Sequence, residues 1–142
     1  ANHRNLHSFP TRRSSDLTVN AVCPWGRSPG TVVSVGADGQ VKLLNAHSQR
    51  CEKILEGHTD EVTAVTPFLD RFVASGCCDT TVRVWDPSLD PHPSTAGRSP
   101  LRQTLCGHTM KVTSVCVAGP FSLATASWDS TVRLWDFSQD FR

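Results

Sequence analysis

The sequence predicts an all-β chain built from small antiparallel sheets of four strands. Three observations carry that expectation. First, the chain repeats itself: residues 73–86 (VASGCCDTTVRVWD) and 123–136 (LATASWDSTVRLWD) align without a gap, and 32–45 (VVSVGADGQVKLLN) is a weaker third copy. Self-similarity at a fixed period marks stacked architectures, in which each unit buries its apolar faces against its neighbours. Second, each unit consists of short β-branched runs with no helical period. Third, the runs are separated by turn residues: Asp38-Gly39, Asp79-Thr80 and Asp129-Ser130.

The elements of the middle unit show the pattern. Residues 62–66 form a first β-branched run and 71–78 a second. In 80–85, Val82 and Val84 alternate with Thr81, Arg83 and Trp85, and 101–106 supplies a fourth run. Asp38, Asp79 and Asp129 are in register, at spacings of 41 and 50 residues. The longer spacing has a local cause. Residues 87–100 (PSLDPHPSTAGRSP) hold four Pro and three Ser, the composition of a loop. The units are expected at 18–56, 57–106 and 107–136, with the last one strand short and 137–142 as a tail.

Composition narrows the classes of function. The chain has 142 residues, 14 Lys plus Arg against 13 Asp plus Glu, and a net charge of +1. That balance gives no electrostatic footprint for nucleic acid or an anionic membrane. No apolar run approaches the roughly 18 residues of a membrane helix, and the N-terminus lacks the apolar core of a secretory signal. The expected setting is therefore intracellular, cytoplasmic or nuclear. In that setting Cys23, Cys51, Cys77, Cys78, Cys106 and Cys116 are expected to be reduced and mostly buried, five of them in strands. Residues 7–17 (HSFPTRRSSDL) resemble the conceptual translation of a sequencing-adapter oligonucleotide over their whole length. Residues 1–17 are therefore read as a non-native, disordered segment and left out of the fold. Arg12-Arg13 is accordingly not read as a nuclear signal.

Two paired marks identify a resemblance. Gly57-His58 stands with Trp85-Asp86, and Gly107-His108 with Trp135-Asp136, and His to Trp spans 27 residues in both. At that spacing, in register with the strand runs, the chain resembles WD40-repeat proteins from residue 18 to residue 136. The resemblance implies part of a β-propeller of four-stranded blades. Closed propellers use about four to eight blades, so further blades or self-association are needed to close a ring. It also implies a hydrogen-bonded tetrad in each blade: His58, Ser75, Asp79 and Trp85, then His108, Thr125, Asp129 and Trp135. A buried carboxylate and a buried indole N–H both need partners, which imidazole and hydroxyl can supply. The first unit keeps Ser34 and Asp38 but has Leu44-Asn45 in place of Trp-Asp, and its Gly-His position falls within residues 1–17.

The resemblance further implies a partner-binding face at the third and fifth positions after each His and the residue before each tetrad Asp. These are Glu61, Thr63 and Cys78, then Lys111, Thr113 and Trp128. Trp128 is either an interface anchor, a role in which Trp is enriched, or packs over a neighbouring blade. Trp25 is expected to shield a blade edge, and Arg83 and Arg133 to lie on solvated faces.

Catalysis and metal chemistry have weaker support. Ser75, His58 and Asp79 have the residue types of a hydrolase triad, but the Ser is mid-strand without a G-x-S-x-G elbow, and the set recurs in each unit. Cys106-Gly107-His108 and Cys77-Cys78-Asp79 offer too few ligands for a closed zinc site. Neither GxxxxGK nor GxGxxG occurs. The expectation is a non-enzymatic module without cofactor or metal: a scaffold or substrate receptor for other proteins. The alternative is a sensor or regulatory propeller of a larger multidomain protein.

Overall fold

The computed structural model describes residues 18–89 and 99–141; the adapter-like segment and most of the Pro-rich loop lie outside the described residues. Among the described residues, eleven strands form three antiparallel sheets. The first contains β1 (Val19–Pro24), β2 (Thr31–Gly36), β3 (Val41–Asn45) and β4 (Arg50–Leu55). The second contains β5 (Val62–Phe68), β6 (Phe72–Cys77), β7 (Val82–Trp85) and β8 (Leu101–Leu105). The third contains β9 (Val112–Gly119), β10 (Ser122–Ser127) and β11 (Val132–Asp136), with β10 in the middle and β11 at the edge. In every sheet, strand order follows chain order.

The β2–β3, β6–β7 and β10–β11 turns share one backbone demand, a positive φ at Gly39 (72°), Thr80 (72°) and Ser130 (65°). Glycine accepts it without strain; Thr and Ser do not. An Asp stands before each and stabilises the turn. Asp38 accepts the Gln40 amide at 3.1 Å, and Asp79 and Asp129 accept the Thr81 and Thr131 amides, both at 2.9 Å.

The registers repeat as well. β1–β2, β5–β6 and β9–β10 each carry an irregularity that sets one extra residue, Asn20, Thr63 or Thr113, outside the ladder. A bulge turns its side chain out of the strand's alternation. Here it turns toward the next sheet: Asn20 Nδ2 donates to the Val62 carbonyl at 2.9 Å, and Thr63 Oγ1 donates to the Val112 carbonyl.

The sheets share two apolar layers. Between the first and second lie Val33, Val35, Val41 and Leu43 from one side and Val62, Val65, Val73 and Trp85 from the other. Between the second and third lie Ala74, Val82 and Val84 against Val112, Val115 and Leu123. Trp25 packs against the first layer. The segment after β11 is not a loose extension. Phe137 is buried against Phe68 with ring centroids 5.0 Å apart, and Phe141 meets Phe72 at 4.5 Å.

Two expectations need correction. Only Cys23 and Cys77 are buried; Cys78 is half-buried, and Cys51, Cys106 and Cys116 are exposed. Cys51 is on an outer strand, Cys106 just beyond β8, and Cys116 on the last sheet, which has a neighbour on one side only. Four cysteines, not five, are within strands, since Cys78 and Cys106 fall one residue past them. Arg83 is not on a solvated face either. It is half-buried with its guanidinium under Gly57, whereas Arg133 is exposed.

Candidate functional site

In the second sheet the turn before β5, the middle of β6, the β6–β7 turn and the end of β7 converge on one point. His58 Nδ1 is 3.0 Å from Asp79 Oδ2, and His58 Nε2 is 2.7 Å from Ser75 Oγ. Trp85 Nε1 donates to the same Ser75 oxygen at 2.8 Å. Asp79 also accepts from the Thr59 amide at 3.2 Å and from Thr81 Oγ1 at 2.6 Å. These bonds assign the protons. An ionised Asp79 accepts a hydrogen bond from the His58 Nδ1–H, so Nε2 accepts from the Ser75 hydroxyl, whose oxygen accepts from the indole N–H. Every donor has an acceptor, and the imidazole is neutral.

The electrostatics agree. Burial pushes the His58 pKa below its ordinary value, against the opposing pull of Asp79. Burial works against ionisation of Asp79, but the bonds from Thr81, His58 and Thr59 outweigh it and hold the carboxyl well below the usual range. The third sheet repeats the arrangement. His108 Nδ1 lies 2.8 Å from Asp129 Oδ2 and Nε2 2.8 Å from Thr125 Oγ1, which accepts Trp135 Nε1 at 2.9 Å. Here the Thr131 hydroxyl leads in keeping Asp129 acidic.

The first sheet solves the same problem differently. Asp38 pairs with the ammonium of Lys42, and both side chains are nearly buried. Lys42 occupies the slot of Arg83 and Arg133 in the other sheets. Sequence reasoning missed it; the available signal was a lone Lys four residues after the turn Asp, inside an apolar strand. It also missed why Gly precedes each tetrad His. A Cβ on Gly57 would stand 2.3 Å from Arg83 Nη1 and 3.1 Å from the Trp85 ring. The Asp of Trp-Asp has a separate task. Asp86 and Asp136 accept the Ser88 and Ser138 amides at 3.1 and 2.9 Å and close the turn after the strand.

His58, Cys77 and Asp79 bring donor atoms within 4.8 Å of one another. Cys77 Sγ is already engaged, donating to the Asp60 carbonyl at 3.2 Å and accepting the Asp79 amide at 3.3 Å. Burial pushes this thiol up to about 12. Ser127 makes the equivalent two bonds in the third sheet, so the thiol does the work of a hydroxyl there.

Glu61, Thr63, Cys78, Lys111 and Thr113 line one groove of about 290 Å³ together with Asn20, so that all three sheets contribute to it. Trp128 adjoins it: its amide donates to the Lys111 carbonyl at 3.1 Å, and the Lys111 ammonium lies 3.5 Å from the indole centroid. Trp128 is 60% exposed. The six residues do not offer equal surface. Thr63 is consumed by the Gly76 and Val112 carbonyls, and one Glu61 oxygen by Asn20 at 2.7 Å. Of the six, Trp128 and Thr113 are exposed, and Glu61, Thr63, Cys78 and Lys111 are half-buried.

The geometry defines a class: stacked sheets, each pinned by a carboxylate buried in its β2–β3-type turn. The family profile "WD domain, G-beta repeat" matches residues 49–86 and 99–136, and the chain belongs to that family. Mitochondrial division protein 1 of Pyricularia oryzae is 44% identical over 68 residues, 46% of this chain and 10% of that protein. WD repeat and HMG-box DNA-binding protein 1 of Xenopus laevis is 33% identical over 86 residues, 56% of this chain and 8% of that protein. The chain thus spans about a tenth of these curated relatives' length. Among solved structures, the WD40 β-propeller domain of Doa1 superposes with a TM-score of 0.72 at 22% identity, covering 85% of this chain and 37% of that one. The likeness is one of fold.

Proposed function

We propose that this chain is a protein-interaction module, a scaffold or substrate receptor, that presents rigid turns to another protein inside the cell. Its units run over 18–56, 57–106 and 107–136. The observation that carries the reading is Trp128, an exposed indole held by Lys111 beside a preformed groove. Fixing a large aromatic before contact lowers the ordering entropy that binding costs. The tetrads take no part in chemistry. The Ser75 hydroxyl is committed to His58 and Trp85, so it is a staple and not a nucleophile. No cofactor is required by this role. Among the described residues no helix is long and apolar enough to cross a membrane.

A second reading, a sensor or regulatory propeller of a larger protein, is favoured by the length of the relatives, of which this chain matches about a tenth. The two readings share the face and differ in what is attached to it. Affinity capture with the full chain, analysed by mass spectrometry, tests the face. Trp128→Ala, a surface change, should deplete the proteins retained by the wild type while the far-ultraviolet spectrum stays the same. Retention of the same proteins at the same yield would show that the face is elsewhere.

A further inference from the structure

We infer that the groove beside Trp128 takes a basic side chain, an arginine presented by the partner protein. The site is part of the interaction face proposed above, and the inference rests on that reading. The chain itself builds both walls of the groove. Glu61 and Cys78 flank strands of the second sheet, Asn20 comes from the first, and Lys111 and Thr113 come from the third. A volume of about 290 Å³ is just under the range of small-molecule pockets and suits one side chain.

The distribution of charge decides which side chain. The Lys111 ammonium is turned onto the Trp128 ring, 3.5 Å from its centroid. Among the described residues it makes no ion pair with Glu61. Glu61 is therefore left with a neutral partner: its Oε1 accepts from Asn20 Nδ2 at 2.7 Å. Its other carboxylate oxygen has no hydrogen bond among the described residues. The neighbouring Asp60 carboxylate accepts the Glu61 amide at 2.7 Å, again a neutral donor. The Cys78 thiol, in the same groove, feels the sum. Its pKa is raised, by burial first and then by Asp60 and Glu61; Lys111 opposes them and Asp79 adds to them.

Three carboxylates against one ammonium leave the groove negative, and a cleft of one sign concentrates the opposite charge. An incoming guanidinium donates to the open Glu61 oxygen in a charge-assisted bond. Guanidinium is more weakly hydrated than ammonium, so arginine loses less than lysine on entering a half-buried site.

Amide NMR titration of the isotope-labelled full chain tests this with capped peptides of glycine and serine that differ at one central residue. That residue is arginine, its neutral isostere citrulline, or glutamate. The arginine peptide should shift the amides of Glu61, Cys78 and Lys111 saturably and bind about tenfold more tightly than the citrulline peptide. The glutamate peptide should bind most weakly, and added salt should weaken arginine binding. Glu61→Gln keeps an oxygen for Asn20 and should lower arginine binding to the citrulline level. Equal binding of arginine and citrulline, or tighter binding of glutamate, overturns the inference. So does a Glu61→Gln variant that binds arginine like the wild type, or the lack of saturable shifts with all the peptides. None of these results alters the Trp128→Ala capture experiment, by which the face itself stands or falls.

Discussion

The second and third sheets carry nearly the same residues in the same register, yet they do not occupy the same environment. Trp85 is 1% exposed, whereas Trp135 is half-buried; Val82 and Val84 are sealed, whereas Val132 and Leu134 face solvent. The tetrad distances nevertheless agree within a few tenths of an ångström. Local hydrogen bonding therefore builds the tetrad within one sheet, while the apolar energy comes from the neighbours. The third sheet keeps the staple with less burial around it.

Substitutions that remove apolar volume should separate the two sheets most. Trp85→Ala deletes a fully buried ring and should cost roughly 3–5 kcal/mol. Trp135→Ala should cost about half as much, because part of that ring is already in water. Urea titrations of the two variants measure the gap, and equal costs would mean that the second layer contributes little.

Removing the shared hydroxyl probes the staple itself. Ser75→Ala leaves the Trp85 indole N–H and one imidazole nitrogen unpaired in a buried site, for about 2–3 kcal/mol. Thr125→Val is the matched change in the third sheet. It should cost less, about 1–2 kcal/mol, because the half-buried Trp135 can turn its N–H toward water. If the two costs match, the sheets are equally dry around the tetrad.

Acid should loosen the second sheet in two steps. The His58 pKa is lowered on folding, so between its unfolded value of about 6.5 and the lower folded value the unfolded chain binds the extra proton. Stability therefore falls as pH drops below about 6.5. Asp79 is likewise held below its unfolded value of about 3.9. Its contribution is complete above that value and is lost as pH falls toward the folded pKa. Thermal melts across this range should show both steps in the wild type, and His58→Gln should lose the first step only. A melting curve without slope between pH 6.5 and 5 would contradict a buried neutral imidazole.

What could be read from the chain follows the range of the interactions. The tetrads were legible because their members are tied to strand register at constant spacing, His58 to Trp85 and His108 to Trp135. The role of Thr63 was not, because a bulge turns its hydroxyl to the Val112 carbonyl of the next sheet, 49 residues on. Lys42 was hidden by substitution: it takes the ionic partner's place at Asp38 with a residue type the resemblance does not provide. Cysteine burial failed because it depends on which strand positions meet a neighbouring sheet. Cys23 and Cys77 belong to the layer between the first and second sheets, and Cys116 belongs to neither layer.

The smallest expected effect concerns the turn where the sheets differ by one residue. Gly39 takes its positive φ freely, whereas Thr80, β-branched, takes φ 72° against steric resistance. The left-handed conformation costs a non-glycine residue roughly 1–2 kcal/mol, and glycine's greater freedom in the unfolded chain offsets part of any relief. Thr80→Gly should therefore stabilise by about 0.5–1 kcal/mol. Ser130→Gly should gain less, since Ser lacks the second branch at Cβ. The reverse change, Gly39→Ala, meets the same φ and also brings a Cβ within 3.1 Å of the Asp60 carbonyl oxygen, so it should destabilise. A Thr80→Gly variant no more stable than wild type would mean that the Asp79 bonds to Thr81 depend on Thr80 to hold the turn closed, and that the first sheet's glycine is a substitute for that rigidity.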